Sequence, residues 1–331
     1  LNCAKGTQAD WARAVERVRL AEKRRGRECR ILCDLAGPNP RTARLRAAAD
    51  DDDPIGKVKV GDRILLAASG SKTDGAAAAL ACTLPEVLAD LNVGDRVYYD
   101  DGKLSGVVRE VLPGRAVIEL TFAKKERVKL RVDKGLNFPD SKLRLPSLTP
   151  KDIEDLGFVA KHADMVGLSF VRSAEHVEML QRELARLGTR ELGIVLKIET
   201  TQAFQDLPRL LLTAMRSPRV GIMVARGDMA IEMGFERLAE AQEEILWLSE
   251  AAFVPVIWAT QVLEGLNETG MPSRAEVTDA AMASRAECVM LNQGKHLREA
   301  CRFLRNVLER MEQHQQKKRS MLRRLRISEI S

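Results

Sequence analysis

Three short stretches carry the residue types that chemistry needs. "KIE" places Lys197 and Glu199 two apart at the end of an apolar run, "ARGD" ends another run with Asp228, and "CDL" ends a third with Asp34. Residues two apart on a strand share a face, so Lys197 and Glu199 point the same way. Two carboxylates from neighbouring strands, Glu199 and Asp228, could share a hard divalent cation such as Mg²⁺ or Mn²⁺, with positions left for substrate and water. A lysine beside them suits the charge on a phosphoryl group in transfer. Arg41 could add a bidentate phosphate contact. Any one of these residues alone reads better as a salt bridge at a sheet rim. Polar residues at successive strand ends change that balance: Asn2; Asp34 and Arg41; Ser169 and Arg172; Lys197 and Glu199; Arg226 and Asp228; Thr260 and Gln261; Asn292.

These residues need strands to hold them. Apolar runs recur at 29–35, 165–171, 193–198, 220–225, 254–259 and 288–291. Each is continuous rather than alternating, the pattern of strands buried on both faces. Amphipathic stretches lie between them. "SAEHVEMLQRELARLG" opens on a Ser173 cap and closes at Gly188; "ERLAEAQEEILWLSEAA" is a second; "SRAEVTDAAMASRA" a third, with Ser273 and Glu276 as a capping box. From Phe170 the strand ends follow at intervals of 29, 29, 32 and 32 residues, to Glu199, Asp228, Thr260 and Asn292. That period is a repeating strand–helix unit, and right-handed crossovers in series favour a parallel barrel. The spacing predicts six whole strands and the tail of one more at Leu1, so the chain is expected to be truncated at its N-terminus. Over 43–138 the rhythm becomes alternation and turns, with V-G-D-R at both Val60 and Val93, and predicts an inserted β domain. "AASGSKTDGAAAALA" within it reads as loop.

Composition sets the class. The chain has 331 residues, 45% hydrophobic and 30% charged, as in a globular domain. Aromatic content of 4% argues against stacking on single-stranded nucleic acid. The net charge of +6 is concentrated at the end, with six Lys or Arg against two Glu from Met311 onward, and reads as a solvated tail. Six cysteines without a C-x-x-C pair read as reduced core residues. No apolar run of membrane-spanning length and no leader pattern is visible, so a cytoplasmic protein without membrane or nucleic-acid partners is expected.

In order along the chain, "CDLAGPNPRT", "DDGKLSG", "KGLNFP" with "LPSLTPKD", "LSFVRSAEHV", "KIET", "IMVARGD", "ATQVLE" and "SRAEVTDAA" resemble the successive motifs of the pyruvate kinases, from Leu1 to about Met290. The resemblance implies an α/β fold: a (β/α)8 TIM-type barrel, N-terminally incomplete here, with an inserted small β-barrel lid. The barrel would comprise 1–42 and 139–313, the lid 43–138 and the basic tail 314–331. It implies phosphoryl transfer from phosphoenolpyruvate to ADP, giving pyruvate and ATP in glycolysis, with Mg²⁺ or Mn²⁺ and with K⁺. Glu199 and Asp228 resemble the divalent ligands, Lys197 the lysine that stabilises the phosphoryl group, Arg41 the phosphate-gripping arginine, and Thr260 the residue near the carbon that is protonated. Backbone N–H groups around Ala225, Gly227 and Asp228 would cradle the substrate carboxylate at a helix N-terminus, with Asn292 at the same substrate edge. Asn2, Asp34 and the Leu35 carbonyl resemble monovalent-cation ligands, and Asp100 and Asp101 lie in the lid. A homo-oligomer stays open.

The departures are specific. The family's "NFSHG" is "NCAKG", so Ala4 stands at a serine ligand, and Asn39 stands where Glu or Lys is usual. "MLSGETA" is "MLNQGKH", with Asn292 at a serine. The expected C-terminal regulatory domain and the arginine before Leu1 are outside this sequence. The altered edge motivates one alternative, a divalent-metal-dependent aldolase or lyase acting on a pyruvate enolate. Ala4 motivates another, a non-catalytic binding protein of the same fold.

Overall fold

The computed structural model describes residues 1–45, 55–69 and 78–315. The chain divides into two compact units, Leu1–Val254 and Pro255–Ser331.

In the first unit, Leu32–Asp34, Met165–Leu168, Gly193–Ile198 and Val220–Ala225 pair in parallel in that order. Their central residues are closed to water: Cys33, Val166, Leu196, Ile222 and Val224 are each fully buried. Continuous apolar runs are what such two-faced burial requires. The registers set Asp34 opposite Gly167, Leu168 opposite Leu196, and Ile198 opposite Val224. The strand ends that carry polar residues therefore meet at one edge. Helices Pro150–His162, Ala174–Arg186, Leu207–Ala214 and Phe235–Ala251 connect or follow these strands. Thr7–Asp10 and Thr149–Asp152 form capping boxes that start Gln8–Arg25 and Pro150–His162. Ser173 occupies the N-cap position of Ala174–Arg186 without accepting an N–H from that helix.

Two strands are shorter than their apolar runs. At 29–35, the Cys29 N–H goes to Glu22 Oε1 and the Ile31 N–H to Asp164 Oδ2, at 2.6 and 2.7 Å, so the ladder begins at Leu32. At 165–171, the chain turns after Leu168 through Phe170, whose φ is +53°.

The same unit holds an antiparallel-rich sheet in the order Leu136–Asn137, Arg96–Tyr99, Leu104–Leu112, Arg115–Ala123, Arg63–Ala67, Ala78–Cys82, Thr42–Ala43. Its apolar face, with Ile64, Leu66, Leu80, Val108 and Ile118, makes its own core. The V-G-D-R repeat builds one turn twice. Gly61 and Gly94 have φ +87° and +99°. Asp62 accepts the Lys59 N–H and Asp95 the Asn92 N–H, both at 2.9 Å. The predicted loop "AASGSKTDGAAAALA" is corrected at both ends. Ala67 closes one strand and Ala78–Cys82 is another, paired in parallel with Arg63–Ala67. Residues 70–77 of it lie outside the described residues.

In the second unit, Val256–Ala259 and Cys288–Val289 pair in parallel, both shorter than predicted. Ser273 and Glu276 form the expected capping box of Arg274–Met282. Thr260, Gln261 and Leu263 all have positive φ, 65°, 55° and 51°, a tight chain reversal directly after the strand.

All six cysteines are free. Cys3, Cys33 and Cys82 are buried as predicted, but Cys29, Cys288 and Cys301 are exposed. The basic tail beyond Gln315 lies outside the described residues. Among the described residues no helix is long and apolar enough to cross a membrane.

Candidate active site

The parallel edge of the first unit concentrates charge around one lysine. Lys197 lies on the strand Gly193–Ile198, with Glu199 just past its end. Lys197 Nζ donates to Ser169 Oγ at 2.9 Å and lies 3.1 Å from Glu199 Oε1 and 3.8 Å from Asp34 Oδ2. Ser169 Oγ in turn donates to the Leu35 carbonyl at 2.7 Å. Glu199 is 3% exposed, and its Oε2 accepts the Phe170 N–H at 2.5 Å. Burial alone would lower the lysine's pKa. Glu199, Asp34 and Asp228 outweigh it and hold the ammonium firmly charged.

Asp228 lies in the first turn of Arg226–Met233, the helix that directly follows the strand Val220–Ala225. The "ARGD" stretch is therefore a helix start, and Ala225, Gly227 and Asp228 lie at its N-terminal end. No hydrogen bond or ion pair closes on the Asp228 carboxyl among the described residues. Burial and then Glu199 push its pKa up to about 7, against the pull of Lys197, with Asp101 and Glu232 adding to the rise.

Asp34 fits its place only because its neighbour is glycine. A Cβ on Gly167 would meet Asp34 Oδ1 at 2.2 Å. That oxygen is buried and has no hydrogen-bond partner. Asn2 bridges to Asp34 through the backbone, and its Oδ1 accepts the Ala4 N–H at 2.8 Å.

Of the predicted residues, Lys197, Glu199 and Asp34 are in direct contact, the Leu35 carbonyl joins them through Ser169, and Asp228 acts on them by charge. Asp101 raises Asp228, whereas Asp100 pairs with Lys103 at 2.7 Å and Lys134 at 3.7 Å. Their hairpin turn reaches the helix of Asp228: a Cβ on Gly102 would lie 3.1 Å from Ile231 Cδ1. Arg41 goes elsewhere. Its Nη1 bonds the Asp133 carbonyl at 2.9 Å and Oδ1 at 3.2 Å. In the second unit, Thr260 follows the strand Val256–Ala259 directly, and Asn292 is exposed, its carbonyl accepting Asn267 Nδ2 at 2.7 Å.

Several contributors have no role assigned from sequence. Ser169 and Arg172 are visible there as strand-end polar residues. Arg172 is buried and donates to the Phe170 carbonyl at 3.1 Å, and Glu232 and Glu199 offset the burial that lowers its pKa. Glu232, one helical turn after Asp228, accepts from Asn137 Nδ2 at 3.4 Å. Its i,i+4 spacing was the available signal. Phe170 gave none.

The donor set fits a divalent cation. Among the described residues no group of three or more His, Cys, Asp or Glu could hold a metal. Two carboxylates, with substrate and water supplying the rest, are the usual share for Mg²⁺. Among the described residues the Asp228 carboxyl and the buried Asp34 Oδ1 accept no hydrogen bond, and one lysine is the shared cation for both acids and Glu199.

The family model for the pyruvate kinase barrel domain matches residues 1–296. The chain belongs to the pyruvate kinase family. Its fold is accordingly α/β of the TIM type with an inserted domain. The pyruvate kinase of Mycobacterium intracellulare is 34% identical over 297 residues, covering 88% of this chain and 59% of that protein. That of Geobacillus stearothermophilus is 30% identical over 320 residues, covering 95% and 52%. A crystal structure of a Cryptosporidium parvum pyruvate kinase superposes with a TM-score of 0.83 at 27% identity, covering 95% of this chain and 63% of that one. The chain thus spans between about half and three fifths of the length of these curated relatives.

Proposed function

We propose that the protein is a phosphotransferase that moves the phosphoryl group of phosphoenolpyruvate to ADP, forming pyruvate and ATP as a glycolytic step in the cytoplasm. The observation that carries this reading is the buried cluster of one lysine among Asp34, Glu199 and Asp228, in a chain that belongs to the pyruvate kinase family. Lys197 holds a fixed positive charge where a phosphoryl group in flight gathers negative charge. Glu199 and Asp228 would hold Mg²⁺ or Mn²⁺, which supplies charge neutralisation at the phosphate and enolate oxygens. Ser169 keeps the ammonium aimed at the edge. N–H groups at the start of Arg226–Met233 receive the substrate carboxylate, as helix starts receive anions.

Arg41 takes the role of phosphate grip, which requires its pair with Asp133 to open. That pair is one-third or more exposed on both sides and therefore weak. The family resemblance gives Thr260 a place near the enolate carbon that is protonated, and Asn292 a place at the substrate edge. Asp34, Asn2 and the Leu35 carbonyl would hold K⁺, for which the orphaned Asp34 Oδ1 is the supporting observation. The segment 43–138 acts as a lid, with Asp101 at its tip.

The test is formation of pyruvate from phosphoenolpyruvate and ADP with Mg²⁺, with and without K⁺, using the longest natural form of the chain. Absence of turnover in folded, Mg²⁺-loaded protein defeats the reading.

A further inference from the structure

Phe170 follows the strand Met165–Leu168 by two residues, and its backbone has φ +53°. Left-handed backbone is unfavourable for a bulky residue and persists only where surroundings enforce it. Here both backbone groups are engaged. The N–H donates to Glu199 Oε2 at 2.5 Å, and the carbonyl accepts from Arg172 Nη1 at 3.1 Å. The residue as a whole is 8% exposed. It sits beside Gly37, where a Cβ would come within 3.1 Å of Phe170 Cδ2.

The two oxygens of Glu199 therefore have different tasks. Oε1 faces Lys197 at 3.1 Å, and Oε2 is tied to a main-chain donor. A lysine on a flexible stem cannot fix the plane of a carboxylate by itself. A second donor from the backbone can, and here it belongs to the residue at which the chain turns left-handed. We propose that Phe170 is a positioning residue whose left-handed backbone sets the orientation of Glu199 for divalent-cation binding. This rests on the reading of Glu199 as a metal ligand.

Two substitutions separate the backbone from the ring. Phe170→Asn keeps the N–H and tolerates left-handed φ but deletes the ring. Phe170→Val keeps apolar bulk but, being β-branched, resists that φ. Mn²⁺ binding by calorimetry should weaken about tenfold or more in Phe170→Val, as loss of an outer-shell contact does, and much less in Phe170→Asn. The reverse order means that ring packing is what matters and overturns the proposal.

Exchange of the Phe170 amide in metal-free protein is the second readout. It should be strongly protected in the wild type and in Phe170→Asn, and unprotected in Glu199→Ala. Bound Mn²⁺ with an unprotected wild-type amide defeats the positioning role alone. A protected amide in wild-type protein that binds no Mn²⁺ defeats the metal reading and the positioning role with it.

Discussion

The parallel edge around Lys197 and the inserted sheet both use Lys or Arg against carboxylates, and they use them differently. In the inserted sheet, Arg109 meets Glu119 and Arg96 meets Asp140, one cation to one anion, with the Arg109–Glu119 side chains 45% and 32% exposed. At the parallel edge, Lys197 and Glu199 are 15% and 3% exposed, and the single lysine serves three acids. Exposed one-to-one pairs need nothing more. A buried surplus of carboxylates is costly unless a cation joins it. The imbalance, more than the presence of charge, is what sets this region apart as a site.

The largest effect should come from the lysine. Lys197→Met is expected to lower kcat by about a thousandfold or more, with phosphoenolpyruvate binding far less affected, read from steady-state kinetics. A loss under about tenfold would make the lysine a structural counter-ion only.

Glu199→Gln comes next. It removes the largest charge acting to raise Asp228, so Asp228 should titrate closer to an ordinary aspartate by carboxyl NMR, while Mn²⁺ affinity falls. An unmoved Asp228 would mean burial alone sets its value.

The same aspartate predicts a pH dependence. Its folded pKa is raised from 3.8 to about 7, so its neutral form favours folding. That contribution is complete below about pH 4 and is lost as pH rises through about 7. Metal-free protein should therefore lose part of its stability between those limits. Mn²⁺ affinity should rise over the same window, because the cation displaces the proton. Melting curves with EDTA or with Mn²⁺ across that range provide the check, and flat Mn²⁺ affinity counts against it.

A smaller change is expected at Asp133→Ala. It removes the exposed ion pair with Arg41 and leaves the main-chain carbonyl as that guanidinium's acceptor, so KM for phosphoenolpyruvate should stay level or fall by up to about threefold. A clear rise in KM would show that Asp133 orients Arg41 for substrate. The smallest effect belongs to the inserted sheet. Arg109→Ala should cost under about 1 kcal/mol in denaturant unfolding, and a larger cost would blur the contrast between the two regions.

Much of the fold was legible because burial on both faces leaves an unbroken apolar run. Gly193–Ile198 and Val220–Ala225 match their predicted limits. Limits failed where side chains intercept the ladder, as Glu22 and Asp164 do at Cys29 and Ile31. Ala78–Cys82 was hidden because alanine carries little strand preference and its pairing partner is remote in sequence. At the site, residue type and a shared strand face pointed to Lys197 and Glu199. The Asp133 partner of Arg41 is a matter of side-chain destination, which spacing does not encode. The sign of φ at Phe170 is equally silent, since nothing in an aromatic residue announces a left-handed turn.

The missing Cβ at Gly167 has a consequence for how this sequence can drift. Asp34 Oδ1 already fills the volume that even a methyl group would need. Position 167 is thus a locked letter. Saturation mutagenesis with selection for function should return glycine there and little else. Should alanine survive, the Asp34 carboxylate has room to retreat, and its placement matters less than its charge.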